Sequence, residues 1–173
     1  AAGASMKLLV GLTAAILTFA AFAATPYRTE GMVLLQPDFV LKERVTSIES
    51  LAGYVKAVQS SAGEALSDTT PTPASGYLVL AVRPGGQSMV WLDFNPALPE
   101  PVAARLRTAI LAVPAFEARN GVVVFALKSS LWGAPPAKGF PEPPEWSKAM
   151  EGRDEPMEIG DLVDKVWPGR TGT

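Results

Sequence analysis

Two β-rich runs separated by three residues constrain this chain more than any other feature in it. Gly76–Arg83 reads GYLVLAVR, Gln87–Phe94 reads QSMVWLDF, and Pro84-Gly85-Gly86 stands between them. Glycine supplies the positive φ that a tight turn needs, so the pair predicts an antiparallel hairpin. On the second run Val90, Leu92 and Phe94 alternate with Met89, Trp91 and Asp93. That alternation predicts one face against a core and the other partly in water. A third run, GVVVFALK over Gly121–Lys128, enters through the turn Arg119-Asn120-Gly121. Its continuous apolarity predicts burial on both faces or a central place in the sheet.

Helical patterns bracket these strands. Thr46 with Glu49 three residues on reads as a capping box, after which Ile48, Leu51, Ala52, Val55, Val58, Ala62 and Leu66 recur as one stripe. Gly63 weakens the end of that helix, and Ser67–Ser75 is a polar loop punctuated by proline. Pro99 and Pro101 suit the first turn of a second helix, whose stripe is Val102, Leu106, Ala109, Ile110 and Val113, ended by Pro114. Ahead of the first helix, Tyr27–Val45 has apolar runs at Met32–Leu35 and Phe39–Leu41, split by Gln36-Pro37-Asp38. Any strand there is confined by Pro37 to an edge or an end. The implied fold class is α+β: a small antiparallel or mixed sheet, the hairpin plus a third strand, with two amphipathic helices on one face. A proline-rich C-terminal extension completes it. Sixteen prolines in 173 residues is about twice ordinary usage, and they concentrate beyond residue 134. APPAKGFPEPPEW favours extended polyproline conformation, and a last short helix is expected from Pro156 to Trp167, capped by Asp154.

The beginning of the chain carries a different kind of signal. From Met6, a single lysine, Lys7, precedes an uncharged run from Leu8 that leads to Ala21-Phe22-Ala23. A basic start, an apolar middle and an A-x-A site make a secretory signal peptide, here expected to be cut after Ala23. Gly11, Thr13, Thr18 and Pro26 interrupt the run against a permanent span. The five residues before Met6 read as a cloning scar. The expected divisions are 1–5 scar, 6–23 signal peptide, 24–133 an α+β domain and 134–173 the extension. A periplasmic or secreted location follows, with no stable membrane insertion once the signal is removed.

Composition then narrows the chemistry. The chain has no histidine and no cysteine. A Ser-His-Asp triad, an HExxH helix, a thiol nucleophile, a disulfide framework and the usual zinc or iron–sulfur sites are all excluded. A formal charge of −2 with no basic cluster gives no field for nucleic acid. Chemistry would have to rest on carboxylate pairs, a lysine base or a carboxylate-bound hard cation.

The order helix, strand, turn, strand, helix, strand over residues 46–131 resembles the C-terminal domain shared by the TonB and TolA energy-transducing proteins. The likeness is carried by Tyr77–Val82, Pro84-Gly85-Gly86, Val90–Phe94, Leu106–Val113 with Phe116, and Asn120-Gly121 before Val122–Phe125. It covers about half the chain and rests on apolar and turn patterns. Family members hold a membrane anchor and a long spacer before this domain; here the N-terminal segment looks cleavable and the proline-rich part follows instead. The resemblance therefore implies a free periplasmic domain, with recognition of extended peptide at a sheet edge as the property carried over.

Among individual residues, Asp93, Glu100 and Glu117 are the carboxylates a hydrolase would draw on, though solvation explains each, with helix N-terminal charge stabilisation for Glu100. Asp154, Glu155, Glu158, Asp161 and Asp164 lack the alternating ligands of an EF-hand loop and read as a solvated helix face. Ser88 fails the spacing of a nucleophile elbow and has no base. Trp91, Met89, Trp132, Trp146 and Trp167 form the candidate binding surface, since tryptophan joins a large apolar area to a donor. The sequence thus favours a non-catalytic periplasmic binding protein, without cofactor or metal, whose partner is a protein or peptide of the cell envelope. The alternatives are a carboxylate-dependent hydrolase of exported or cell-wall substrates and a structural subunit of an envelope assembly.

Overall fold

The computed structural model describes residues 24–168. The expected leader, residues 6–23, and its cleavage site lie outside them. The chain order is β1 (Tyr27–Leu34), α1 (Asp38–Arg44), α2 (Ile48–Ser67), β2 (Ala74–Arg83), β3 (Gln87–Asn95), α3 (Glu100–Leu111), β4 (Val123–Leu131), α4 (Pro144–Met150) and α5 (Ile159–Val166). The four strands form one antiparallel sheet in the order β1-β4-β2-β3, so the fold is α+β.

The hairpin β2–β3 pairs in unbroken register from Ser75 opposite Asn95 to Arg83 opposite Gln87. Gly85 and Gly86, at φ 91° and 69°, make its turn. β4 lies between β1 and β2, and Val123–Leu127 are fully buried, as the apolar run over Gly121–Lys128 implied. Gly76 on β2 has no room for a side chain, because a Cβ there would overlap the Asp93 carbonyl across the hairpin. The sequence-expected sheet of three strands gains a fourth, β1, at its edge, with Pro37 just beyond the strand end.

Two apolar layers enclose the sheet. Leu78, Leu80, Val82, Val90, Phe94, Phe125 and Leu127 face α2 and α3, which bring Tyr54, Val58, Ala62, Leu66, Leu106 and Ile110. Both long amphipathic helices therefore share one face. The opposite face presents Tyr77, Val79, Ala81, Trp91, Val124 and Ala126, and residues of the C-terminal extension, Ala137, Trp146, Leu162 and Val163, pack on it. This face is drier than its alternation suggested, since Trp91 is only 6% exposed.

Local details correct three boundaries. The α2 N-cap is Ser47, not Thr46: the Ser47 hydroxyl accepts from Ser50 N–H at 3.2 Å and donates to Glu49 at 3.1 Å. Thr46 instead donates its hydroxyl to the Glu117 carbonyl. The last helix starts at Ile159 with Glu158 at its N-cap and no side-chain cap, so Asp154 does not cap it. The proline-rich segment is not extended throughout. Pro144 opens the short helix α4, where a missing N–H costs nothing in the first turn.

Candidate functional site

The aromatics singled out from the sequence divide between the two faces of the sheet. Trp91 and Trp146 meet edge to face, ring centroids 5.3 Å apart, and both are buried. Met89 and Trp167 pack around the same cluster as half-buried residues. The Arg83 guanidinium lies 3.4 Å from the Trp167 ring centroid and donates to the Trp167 carbonyl at 3.1 Å, pinning the end of α5 to the hairpin. Trp132 belongs to the other apolar layer, half-buried at the end of β4 with φ at 52°. Together these tryptophans join the tail to the sheet more than they present a single outward platform.

The three carboxylates sit apart in their contacts. Asp93 accepts the Glu142 N–H at 2.7 Å and so anchors the proline-rich strap. Glu100 lies 3.7 Å from Arg107 on α3, and Glu117 accepts from Gly85 N–H at the hairpin turn. Asp93 also lines a cavity of about 550 Å³ with Asn95, Lys138, Phe140 and Glu142, beneath the strap. Beside it the Tyr77 hydroxyl donates to the Gly139 carbonyl, and burial, helped by the charge of Asp93, pushes the Tyr77 pKa up. No grouping of three or more His, Cys, Asp or Glu residues able to hold a metal ion occurs among the described residues.

The outer side of β1 is built differently. Six large apolar side chains are exposed among the described residues, and four of them, Met32, Leu34, Phe39 and Ile48, fall on β1, α1 and the start of α2. Single surface apolar residues are ordinary, so the pair Met32 and Leu34, two apart on one strand, carries more weight than either alone. β1 is the last strand on its side of the sheet, paired only with β4. In an antiparallel ladder, successive residues aim both backbone groups alternately inward and outward. Leu35 N–H donates inward to the Val124 carbonyl, so the N–H and C=O groups of Met32 and Leu34 point away from the sheet. No charge stands between Glu30 and Asp38. Charged side chains, proline or a bulge commonly blunt such an edge; here the charges Arg28 and Glu30 and the bulge at Glu30 all fall in the first half of the strand, and Gly31–Leu34 carries none of them.

Each end of this apolar stretch is held by defined polar contacts. Arg28 and Glu30 pair at 2.7 Å, and the Arg28 hydrogen bond, above all, holds the Glu30 carboxyl below its usual range. At the other end the chain must leave the sheet at Pro37, and Gln36 completes the ladder with its side chain. Its amide carbonyl accepts from Val124 N–H at 2.9 Å and its NH₂ donates to the Val122 carbonyl at 3.1 Å. Arg44 donates to the same carbonyl at 2.8 Å, with its guanidinium packed against Gly121, where a Cβ would collide with it. Beside the strand, a groove of about 580 Å³ runs between β1 and α2, lined by Thr29, Met32, Val55, Gln59, Ser60 and Leu127 among others.

Sequence reasoning marked Met32–Leu35 as an apolar run and Pro37 as an edge signal, but did not join them into a site. The signal was there: an uncharged stretch ended by proline is what an unprotected edge strand looks like. No family model matches the chain, and no match was found among curated proteins or solved structures.

Proposed function

We propose that this chain is an exported, non-catalytic binding protein of the bacterial cell envelope that recognises an extended segment of a protein partner along the free edge of β1. The observation that carries this reading is the coincidence, at Met32 and Leu34, of outward backbone groups with exposed apolar side chains. An added strand gains affinity from main-chain hydrogen bonds and specificity from alternate side chains, and both elements are present along β1.

Export rests on the leader pattern of residues 6–23 and places the work in the periplasm. A periplasmic role is compatible with a chain lacking cysteine, and no helix among the described residues is long and apolar enough to cross a membrane. The succession α2, β2, β3, α3, β4 supports kinship with the TonB and TolA C-terminal domains. In this reading the anchored, energy-transducing role is absent and peptide recognition is retained.

The test is capture from envelope extract by the wild-type protein and by Leu34→Pro. Proline removes the outward N–H of Leu34 while leaving the inward ladder to β4 intact. A partner held by the wild type and lost with Leu34→Pro, the fold unchanged by circular dichroism, supports edge recognition. Capture insensitive to Leu34→Pro but abolished by deleting residues 134–173 would move the recognition element to the tail.

A further inference from the structure

Phe140 is the most exposed large apolar side chain among the described residues, at 84%, yet the backbone that carries it is fixed on both sides. Just before it, the Gly139 carbonyl accepts from the Tyr77 hydroxyl; just after it, Glu142 N–H donates to Asp93 at 2.7 Å. Ala137 is buried in the layer that holds Tyr77 and Trp91. A lone apolar residue on a surface is ordinary. This one is held out of the core by an anchored strap, and it lines the cavity of about 550 Å³ beneath that strap. We infer that the cavity binds a neutral sugar ring, whose C–H face rests on Phe140 and whose hydroxyls meet the polar wall of the hairpin. The site is independent of edge recognition, because β1 and β3 are opposite edges of the sheet.

Three features define the ligand. The first is the division of the lining. The open end of the hairpin, where Ser75 pairs with Asn95, contributes Ser75, Asp93 and Asn95, whereas the strap contributes the rings of Pro135 and Phe140. A sugar ring has the matching character, with C–H bonds on its face and hydroxyls at its rim, and the negative face of an aromatic ring attracts polarised C–H bonds. Charge is the second. One ammonium, Lys138, and two carboxylates, Asp93 and Glu142, line the cavity. A cation is opposed by the first and an anion by the pair, while a neutral ligand that both donates and accepts is opposed by neither. The third is capacity. Asp93 holds the strap through Oδ2, and Glu142 accepts the Ser147 hydroxyl on Oε1, so each carboxylate keeps its other oxygen for a ligand hydroxyl. Ser75, Asn95 and Lys138 supply donors in return. The volume lies within the roughly 300–1,000 Å³ of small-molecule sites.

An array carrying neutral oligosaccharides, acidic oligosaccharides and extended peptides tests this, with the full chain detected through an affinity tag. The wild type should bind neutral oligosaccharides. Phe140→Ala should weaken that binding at least tenfold, and Phe140→Tyr, which keeps the ring, should restore it. Both variants should melt as the wild type does, since the side chain lies outside the core. Leu34→Pro should leave sugar binding unchanged. No binding of any oligosaccharide, capture of acidic ones alone, or binding indifferent to Phe140→Ala overturns the sugar site and leaves edge recognition standing. Peptide binding lost with Phe140→Ala also overturns it and makes the cavity a peptide site. Sugar binding lost with Leu34→Pro overturns the cavity as its seat.

Discussion

At the scale of single residues, the edge of this sheet depends on side chains that imitate backbone. Gln36 is 6% exposed and supplies both a donor and an acceptor to β4 where the main chain has already turned away. Replacing it with leucine keeps the volume but orphans the Val124 N–H, and leaves the Val122 carbonyl with Arg44 alone. A buried group left without a partner costs about 1–3 kcal/mol, so Gln36→Leu should destabilise by about 2 kcal/mol in urea denaturation. A loss below about 0.5 kcal/mol would mean water replaces the amide there. Gly121→Ala should also be costly, since its φ of 142° and the Arg44 guanidinium both oppose a side chain.

At the scale of elements, legibility followed the strength of periodic signals. The hairpin, the central strand and both amphipathic helices were readable because each carries eight or more residues of one period, flanked by turn chemistry. β1 was half-readable: its apolar run is short, and its pairing with β4 joins residues about a hundred positions apart. α1 and α4, each seven residues, carry too few turns to show a period, and their starts at Asp38 and Pro144 look like loop. The α2 cap slipped by one residue because Thr46 and Ser47 are adjacent and equally able to accept. For the proposed site, sequence reasoning pointed to conspicuous tryptophans; exposure is a tertiary property, and it is high at Met32, Leu34 and Phe39, which no sequence pattern marked as exposed.

The extension gives the element-scale prediction. α5 has eight residues and would be marginal alone in water, yet it buries Leu162 and Val163 in the layer that holds Trp91. Deleting residues 134–173 uncovers Tyr77, Val79, Ala81 and Trp91 together. The truncated protein should melt lower and bind a hydrophobic dye, and Trp146→Ala alone should cost about 3–5 kcal/mol. An unchanged melt of the truncated form would show that this face needs no cover.

At the scale of the whole molecule, composition sets the pH response. Without histidine or cysteine, no side chain has an ordinary pKa between the carboxylates and the tyrosines. Stability should therefore be nearly flat from about pH 6 to about pH 9. Burial raises the pKa of all three tyrosines, Tyr27, Tyr54 and Tyr77, above the ordinary 10.0. A raised folded pKa means the folded state holds its proton longer than the unfolded chain. The contribution is thus complete below pH 10 and is lost as pH rises beyond it through the folded values. Ultraviolet titration should show tyrosine ionisation arriving together with unfolding, and Tyr27→Phe should shift that alkaline transition. Ionisation of all three at ordinary pH with the fold intact would contradict their burial.

Edge recognition itself is tested most directly by amide hydrogen exchange at Met32 and Leu34, read residue by residue with and without the partner segment held by the wild-type protein. In the free protein these two amides should exchange quickly, while Leu35, bonded to Val124, is protected. In the complex both should slow by at least tenfold, with Leu35 little changed. Slow exchange at Met32 and Leu34 in the free protein, or no slowing when the partner is bound, would contradict recognition along this edge.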